Sequence, residues 1–313
     1  MSFSSEVKSE LARTAFGKSC CASAELAGII RSCGAIHIEG KGDLGVRLVT
    51  ENAAVARRIK TLLSERFSAD ASLLVGEHSF ARGRRAYALH LSGKRGGNRI
   101  LRETDIVKPA GSRRHMEEGL SERFFRKKCC RKALLRGLFL GAGTVSDPKS
   151  GYNLELVFAD EATAASARKL FGSFTDLKAG VRQRRGRIVV YLKDSEQIKD
   201  VLTIMGAHAK LLAFEDVRLM KELRGRTNRV NNCELANVDR ALATSSRELD
   251  AIQSIRRRNL LDELPSGLLD TALIRLDHPD ATLAELGALH TPPIGKSAVS
   301  ARMKRIEKFA EEG

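Results

Sequence analysis

Cysteine is the residue type in this sequence whose spacing could most directly support chemistry. The 313-residue chain has two adjacent cysteine pairs among its six cysteines, which are Cys20, Cys21, Cys33, Cys129, Cys130 and Cys233. Thiolates bind soft metal ions and exchange with disulfides, but no CxxC motif occurs and the seven histidines are scattered. The spacing typical of a zinc site is therefore absent. We predict buried free thiols, no metal site and no cofactor; a redox or metal role for the adjacent pairs is the alternative.

A second candidate for chemistry is Gly295-Lys296-Ser297, which resembles the end of a phosphate-binding loop. The full motif needs a glycine five residues before Gly295, where this chain has His290. No strand pattern precedes the segment. We therefore reject nucleotide binding and expect Lys296 to contact a nucleic-acid phosphate.

The charge of the chain indicates a polyanionic partner. Lysine and arginine total 54 against 38 aspartates and glutamates, which gives a net charge of +16. Residues 1–244 carry a net charge of +17, whereas residues 245–313 carry −1. Nucleic acid is the expected partner of such a basic chain. Aromatic residues make up only 5% of the sequence, which argues against single-strand binding by base stacking.

An internal repeat determines which elements position these residues. CCASAELAGIIRSCGAI (residues 20–36) aligns without gaps to CCRKALLRGLFLGAGTV (residues 129–145), so the two cysteine pairs coincide. Two later pairs of segments repeat in the same order, namely 46–63 with 154–171 and 84–91 with 186–193. Each copy predicts helix, two strands, helix, two strands, helix. Asn52 and Asp160 occupy the N-cap positions of the middle helices.

The repeated helix carries glycine at its centre in both copies. Gly28 and Gly137 align there, although a glycine inside a helix costs about 1 kcal/mol relative to alanine. Small residues surround them at Ala24, Ala27, Ala133 and Gly141. This pattern predicts two helices packed backbone to backbone; ordinary packing of helix on sheet is the alternative.

The C-terminal segment has the start signals of several short helices. Ser245-x-x-Glu248 and Thr282-x-x-Glu285 are capping boxes, each predicting a helix start. Prolines at positions 292 and 293 predict a turn after the second of these helices. Ser297 is the expected cap of a last helix.

The last helix has an apolar face and a basic face. Val299, Met303, Ile306 and Ala310 recur at helical spacing, so the polar residues face outward. Two short helices joined by a turn, the second one basic, are typical of a helix-turn-helix; a plain helical bundle is the alternative. The predicted DNA-binding residues of this segment (about 282–313) are Thr282, Lys296, Ser297, Ser300, Arg302, Lys304 and Arg305.

The repeated helix resembles a known motif. LAGIIRSCG (26–34) and LRGLFLGAG (135–143) are similar to the LAGLIDADG helices of homing endonucleases. The resemblance implies two four-stranded sheets that form a saddle on double-stranded DNA. It also implies a metal-binding carboxylate just before the last glycine of each helix. This chain has Cys33 and Ala142 at those positions, and neither offers the hard oxygen ligand that metal-dependent hydrolysis needs. We therefore predict no catalytic residues.

The whole chain resembles the WhiA family of bacterial regulators. The similarity rests on MSFSSEVKSEL at the N-terminus, the cysteine pairs, GLFLGAGTVSDP (137–148) and RTNRVNNCELAN (226–237). The resemblance implies a degenerate LAGLIDADG domain joined to a C-terminal helix-turn-helix. It further implies transcriptional control linked to cell division, chromosome segregation and sporulation.

Clustered arginines follow the repeat. In the resembled fold, the last hairpin of each copy reaches along the DNA groove, so we define these arginines as the basic saddle; a solvated positive surface is the alternative. The basic saddle consists of Arg82, Arg84 and Arg85 in copy one, and Arg182, Arg184, Arg185 and Arg187 in copy two.

These observations predict an α+β fold with a pseudo-symmetric two-repeat LAGLIDADG-type αββαββα domain, followed by an all-α helix-turn-helix domain. The expected segments are residues 1–205 (repeats about 20–102 and 129–205), a helical linker at 206–244, and the helix-turn-helix domain at 245–313.

The predicted function is that of a non-enzymatic, sequence-specific, double-stranded DNA-binding transcriptional regulator. Further expected partners are other transcription regulators or RNA polymerase. A metal-dependent DNA endonuclease and a protein-interaction adaptor are the alternatives. No apolar run approaches the ~18 residues of a membrane span, and the N-terminal segment lacks the apolar core of a signal peptide. We therefore expect a cytoplasmic, nucleoid-associated protein without membrane contact.

Overall fold

The computed structural model describes residues 2–77, 85–110 and 113–312. The chain divides into two compact units, Met1–Met220 and Lys221–Gly313. Each unit is described by itself below.

The first unit contains two copies of the same helix and strand order. After α1 (Phe3–Leu11), copy one consists of α2 (Ser19–Cys33), β1 (Gly34–Ile38), β2 (Leu44–Thr50), α3 (Ala53–Phe67), β3 (Ser72–Glu77), β4 (Arg85–Leu91) and α4 (Gly97–Glu103). A two-stranded ribbon of β5 (Val107–Ala110) and β6 (Arg113–Met116) follows. Copy two consists of α5 (Lys128–Ala142), β7 (Gly143–Val145), β8 (Leu154–Phe158), α6 (Glu161–Gly172), β9 (Gly180–Arg184), β10 (Arg187–Leu192) and α7 (Ser195–Met205). The predicted αββαββα repeat is confirmed.

The middle helices begin where the sequence predicts. The side-chain oxygen of Asn52 accepts hydrogen bonds from the backbone N–H groups of Ala54 and Val55 at the start of α3. Asp160 accepts one from the N–H of Thr163 at the start of α6. Both N-cap predictions are therefore confirmed.

Each copy forms an antiparallel sheet with the same strand order, β1-β2-β4-β3 and β7-β8-β10-β9. Val46 lies opposite Leu91 in the first sheet, and Leu154 lies opposite Leu192 in the second. Val46 and Leu154 are equivalent in the repeat, so their partners Leu91 and Leu192 are equivalent too. The sequence alignment of 84–91 with 186–193 was therefore wrong by one residue. Such a slip exchanges the two faces of a strand.

The two motif helices pack backbone to backbone, as predicted. A Cβ on Gly28 would lie 2.6 Å from the carbonyl oxygen of Leu134, and a Cβ on Gly137 would collide with the carbonyl oxygen of Glu25. Both glycines are therefore required for the close approach of α2 and α5. The helices end at Cys33 and Ala142, directly before the glycines that begin the first strand of each copy.

The long helix α8 (His208–Arg257) contains the division between the two units. The predicted helix start at Ser245 is wrong, because α8 continues through this position without a break. The Ser245 hydroxyl instead donates to the carbonyl oxygen of Pro279 at 2.6 Å.

The second unit closes with three further helices, α9 (Ser266–Asp277), α10 (Leu283–Leu289) and α11 (Lys296–Glu312). Its apolar core combines the end of α8 with these helices through Ile252, Ile255, Leu264, Leu268, Ala272, Leu286, Val299, Met303 and Ile306. Within the described residues, no helix is both long enough and apolar enough to cross a membrane.

Candidate nucleic-acid interface

The pair α10 and α11 forms the candidate DNA-reading element of the second unit. Thr282 caps α10 with a complete capping box: its hydroxyl accepts from the Glu285 N–H at 3.3 Å, and its own N–H donates to the Glu285 carboxylate at 2.7 Å. α11 begins at Lys296, so Ser297 lies inside the first turn and does not cap it as predicted. The reason is that the carbonyl oxygen of Gly295 already accepts from the N–H groups of Ala298 and Val299.

The two faces of α11 differ as the apolar spacing predicts. Val299, Met303 and Ile306 are buried in the core of the unit. The side opposite them is polar and basic, and its exposed members are Lys296, Ser297, Lys304 and Arg305, with Ser300 half-buried beside them. Within the described residues, neither Lys304 nor Arg305 has an ion-pair or hydrogen-bond partner for its side chain. These cations are therefore available to an external anion.

Arg302 differs from the other predicted DNA-binding residues. Its Nη1 donates to the carbonyl oxygen of Gly267 at 3.0 Å and to the hydroxyl of Thr271 at 3.3 Å. Both acceptors belong to α9, so the guanidinium holds α11 against α9. The sequence placed Arg302 beside Arg305 from spacing alone, which does not show how a long side chain bends.

His290, between α10 and α11, belongs to the same buried network. Its Nε2 lies 3.3 Å from the hydroxyl of Thr271, and the side chain is buried. Burial lowers the pKa of His290 below its ordinary value; the positive charge of Arg302 lowers it further, and Asp270 opposes both. The folded unit therefore favours the neutral imidazole.

The second sheet of the first unit carries arginines on the face opposite its helices. Arg182 and Arg184 both form ion pairs with Glu155, and the distance from Arg184 to Glu155 is 2.9 Å. The guanidinium of Arg182 also lies 5.1 Å from the ring centroid of Tyr191. Burial raises the pKa of Glu155, but the hydrogen bond from Asn153 and the charges of Arg184 and Arg182 lower it overall. Glu155 therefore stays ionised and holds these two arginines in fixed positions.

Two further arginines of copy two have no ion-pair partner among the residues that the structure describes. Arg185 lies at the tip of the β9–β10 hairpin with a φ of 51°, and Arg187 begins β10; both are exposed. With Arg184 and Val157 they line an open surface hollow of about 420 Å³. Four arginines against one glutamate leave this face strongly positive.

The corresponding part of copy one is described only partly. Arg85 begins β4 and is exposed, whereas Arg82 and Arg84 lie outside the described residues. Arg47 of β2, which the repeat aligns with Glu155, is also exposed. The structure thus places Arg85, Arg182, Arg184, Arg185 and Arg187 at hairpins of the two sheets, as predicted.

The ends of the two motif helices lack the ligands of a hydrolytic metal site. The Cys33 thiol donates to the carbonyl oxygen of Ile29 at 3.4 Å, and burial raises its pKa to about 11. Ala142 offers no ligand atom. Lys8 of α1 is close enough to interact with the Cys33 thiol. Burial lowers the pKa of Lys8 to about 8, while Cys33 and Glu51 oppose this effect. A lysine side chain thus lies close to the position where the motif would place an acid.

Two clusters of side chains that could bind a metal were not predicted from residue spacing in the sequence. The Sγ atoms of Cys20, Cys21, Cys129 and Cys130 all lie within 4.8 Å of one another. On the first sheet, the Nε2 atoms of His37 and His90 are 3.0 Å apart, and Glu39 lies 3.3 Å from that of His37. The repeat aligned the two cysteine pairs, and that alignment was the signal from which their meeting could have been predicted.

Comparison with protein-family models gives matches over most of the chain. Residues 19–107 match the WhiA N-terminal LAGLIDADG-like domain. Residues 131–224 match the WhiA LAGLIDADG-like domain, and residues 227–310 match the WhiA C-terminal helix-turn-helix domain.

Curated relatives are similar to this chain over its full length. A protein of Desulforamulus reducens, named "Probable cell division protein WhiA", is 41% identical over 312 residues, which cover 100% of this chain and 96% of the relative. A protein of the same name from Heliobacterium modesticaldum is 40% identical over 311 residues, covering 99% of this chain and 96% of the relative.

Solved structures show the same architecture. Full-length DUF199/WhiA from Thermotoga maritima superposes with a TM-score of 0.62 at 26% identity, covering 99% of this chain and 98% of that one. The N-terminal LAGLIDADG domain of DUF199/WhiA has a TM-score of 0.50 at 23% identity, covering 66% and 92% of the two chains. The second match concerns the fold alone.

Proposed function

The chain belongs to the WhiA family, and from this premise we propose that it is a sequence-specific transcriptional regulator that binds double-stranded DNA. The observation that carries the proposal is the exposed polar and basic face of α11. A helix-turn-helix places the N-terminal part of its second helix in the major groove. Lys296, Ser297 and Ser300 lie on that part of α11. Lys304 and Arg305 follow in the middle of the helix, and all these side chains can donate to phosphates or base edges.

Within this proposal, Arg302 is a positioning residue. Its hydrogen bonds to Gly267 and Thr271 fix the angle of α11 against α9. Thr282 likewise acts through its capping box, which fixes the start of α10. We place the DNA-binding domain after the linker at 206–244, with the end of α8 as part of its core.

The basic saddle adds affinity that does not depend on sequence. Arg185 and Arg187 are exposed, and their charges can neutralise phosphates of duplex DNA. Contact of the same surface with another transcription regulator or with RNA polymerase is the competing role, and the salt dependence of DNA binding separates the two.

The names of the relatives, "Probable cell division protein WhiA", support a proposal about the biological setting. We propose that the target genes serve cell division, chromosome segregation or sporulation, and that the protein acts on the nucleoid. Mapping the bound sites across the genome tests this role. A duplex carrying the recovered sequence should bind at least about 10³-fold more tightly than a scrambled duplex at the same salt concentration. Equal affinity for the two duplexes would contradict a sequence-specific function.

We further propose that the chain does not cleave DNA. Cys33 and Ala142 occupy the two positions that need carboxylates, and the side chain of Lys8 lies close by. The acids that follow the two motif helices in sequence are engaged elsewhere. Glu39 accepts from the Ser92 hydroxyl and Asp43 from the Asn98 amide, both at 2.8 Å. Asp147 accepts from the Lys149 N–H, also at 2.8 Å.

Incubation of supercoiled plasmid with the full chain and Mg²⁺ or Mn²⁺ tests the absence of cleavage. We expect no nicking at any ratio of protein to plasmid. Metal-dependent nicking that disappears in the Asp147→Ala or Asp43→Ala variant would identify a different hydrolytic site and overturn the proposal.

A further inference from the structure

Four thiols from two distant segments meet where the motif helices begin. Cys20 and Cys21 lie in the first turn of α2, and Cys129 and Cys130 lie in the first turn of α5. Their Sγ atoms all lie within 4.8 Å of one another. In a tetrahedral site with Zn–S bonds of 2.3 Å, the sulfurs are about 3.8 Å apart. The cluster therefore needs a contraction of at most about 1 Å to surround one ion.

The surroundings of the cluster favour a negatively charged centre. Lys18 and Lys127 are the N-cap residues of the two helices, and neither lysine side chain accepts from the first N–H groups of its helix. The four cysteines therefore lie at the positive ends of two helix dipoles, and such dipoles stabilise thiolates. In addition, Lys128 directly precedes the second cysteine pair. These charges suit a metal bound by four thiolates, which carries a net charge of −2.

Contacts other than those among the four sulfurs also fix the position of the cluster. The Cys130 thiol lies 3.6 Å from the carbonyl oxygen of Cys20, so the two helix starts are already in contact. The neighbouring glycines Gly28 and Gly137 hold α2 and α5 at close approach one turn or more further along. The ligand set is thus preorganised by helix packing.

We propose that Cys20, Cys21, Cys129 and Cys130 bind one Zn²⁺ ion that joins the N-terminal ends of α2 and α5. Four sulfurs at this spacing form the closed, tetrahedral set of a structural zinc site. Each thiol that binds releases its proton to solvent, so no oxidant or reductant is required. The ion ties together the two halves of the pseudo-symmetric unit and is independent of any DNA contact.

Co²⁺ and Zn²⁺ titrations of the full chain under reducing conditions test the site. Tetrahedral Co²⁺ bound to thiolates absorbs in the visible range and shows sulfur-to-metal charge transfer in the near ultraviolet. We expect one Co²⁺ per chain, displaced by one Zn²⁺, with a Kd for Zn²⁺ of about 10⁻⁸ M or tighter. Metal analysis of the protein purified without chelator should likewise find one zinc per chain.

Matched variants separate the cluster from other thiols. The prediction of buried thiols is wrong for Cys129 and Cys233, which are both exposed. Only Cys129 belongs to the cluster. Cys129→Ser should weaken metal binding by about 100-fold or more, whereas Cys233→Ser should bind as the wild type does. A chelator should lower the Tm of the wild type and of Cys233→Ser, but not that of Cys129→Ser.

Three results would overturn the proposal. They are the absence of metal binding tighter than about 10⁻⁶ M by folded wild type, unchanged binding by Cys129→Ser, and disulfides between the two pairs in protein alkylated at lysis. The last result would assign the cluster to thiol–disulfide chemistry.

Discussion

Arg302 and Arg305 lie three residues apart on α11, yet their guanidinium groups have different surroundings. Arg302 bonds to α9, while Arg305 is exposed and has no partner within the described part of the chain. The sequence predicted the apolar face of α11 correctly, because burial follows the helical period. It could not assign Arg302, because a flexible side chain reaches acceptors on another helix that spacing does not reveal.

Removal of Arg302 tests its role as a positioning residue. Arg302→Ala should lower the free energy of unfolding of the second unit by about 1–3 kcal/mol, because the hydroxyl of Thr271 and the carbonyl of Gly267 are left without a charged donor. It should weaken binding to cognate and random duplexes by similar factors. Urea unfolding and binding titrations measure both effects. A decrease confined to the cognate duplex, with unchanged stability, would show instead that Arg302 contacts a base.

His290 should make the second unit sensitive to acid. Its pKa is lowered in the folded state by burial and by Arg302, whereas the unfolded chain has an ordinary pKa near 6.5. The unfolded state therefore binds the proton more readily than the folded state. The free energy of unfolding has its full value above about pH 6.5 and falls as the pH drops through the folded pKa. Thermal unfolding at pH 7.5 and pH 5 should show a decrease in Tm for the wild type that His290→Gln reduces.

His278 offers the matched control, because it is exposed in the same unit. His278→Gln should keep the pH dependence of the wild type. An equal decrease of stability in His290→Gln and wild type would show that another group titrates.

At the scale of elements, the repeat was the most informative feature of the sequence. It predicted the helix and strand order, the N-caps Asn52 and Asp160 and the contact of α2 with α5, because a local signal at the same place in two copies rarely arises by chance. The failures have a shared cause. Ser245 has a local capping signal, but α8 continues because its end packs into the core through Ile252 and Ile255. The cysteine cluster forms through tertiary contact, which local spacing does not encode.

The close contact between the motif helices allows us to predict how replacement of its glycines changes stability. A Cβ on Gly137 would collide with the carbonyl oxygen of Glu25 on α2. Gly137→Ala should therefore lower the free energy of unfolding by about 1–3 kcal/mol or more. Gly225 lies inside α8, and among the described residues its Cβ position meets only the Nη1 of Arg229, at 3.5 Å. Gly225→Ala should be neutral or stabilise by up to about 1 kcal/mol. Similar effects of both variants on chemical denaturation would contradict the close approach of α2 and α5.

At the scale of the whole molecule, the net charge differs between the first 244 residues and the C-terminal segment. The first 244 residues carry the entire positive excess, whereas the helix-turn-helix segment has a net charge of −1. Composition predicted the polyanionic partner, but only the structure shows which cations are free. Glu155 pairs with Arg182 and Arg184, while Arg185 and Arg187 remain exposed.

The salt dependence of DNA binding measures the contribution of the basic saddle. The double variant Arg185→Ala/Arg187→Ala should reduce the log–log salt slope by about 0.9 for each phosphate that is no longer neutralised, so by up to about 1.8. Arg57→Ala, which removes an exposed arginine of α3, should leave the slope unchanged. An unchanged slope in the double variant would mean that the saddle does not contact DNA and would favour its role in protein contact.

The most direct test of the central claim compares binding of cognate and scrambled duplexes by the wild type, Arg305→Ala and Lys308→Ala. Both side chains are exposed on α11, but Lys308 lies further from its N-terminus and pairs with Glu312 at 3.3 Å. We predict that Arg305→Ala weakens binding to the cognate duplex by about 1–3 kcal/mol and to the scrambled one by less, while Lys308→Ala binds as the wild type does. If folded Arg305→Ala, checked by circular dichroism, keeps wild-type affinity and selectivity, α11 does not read the sequence of DNA.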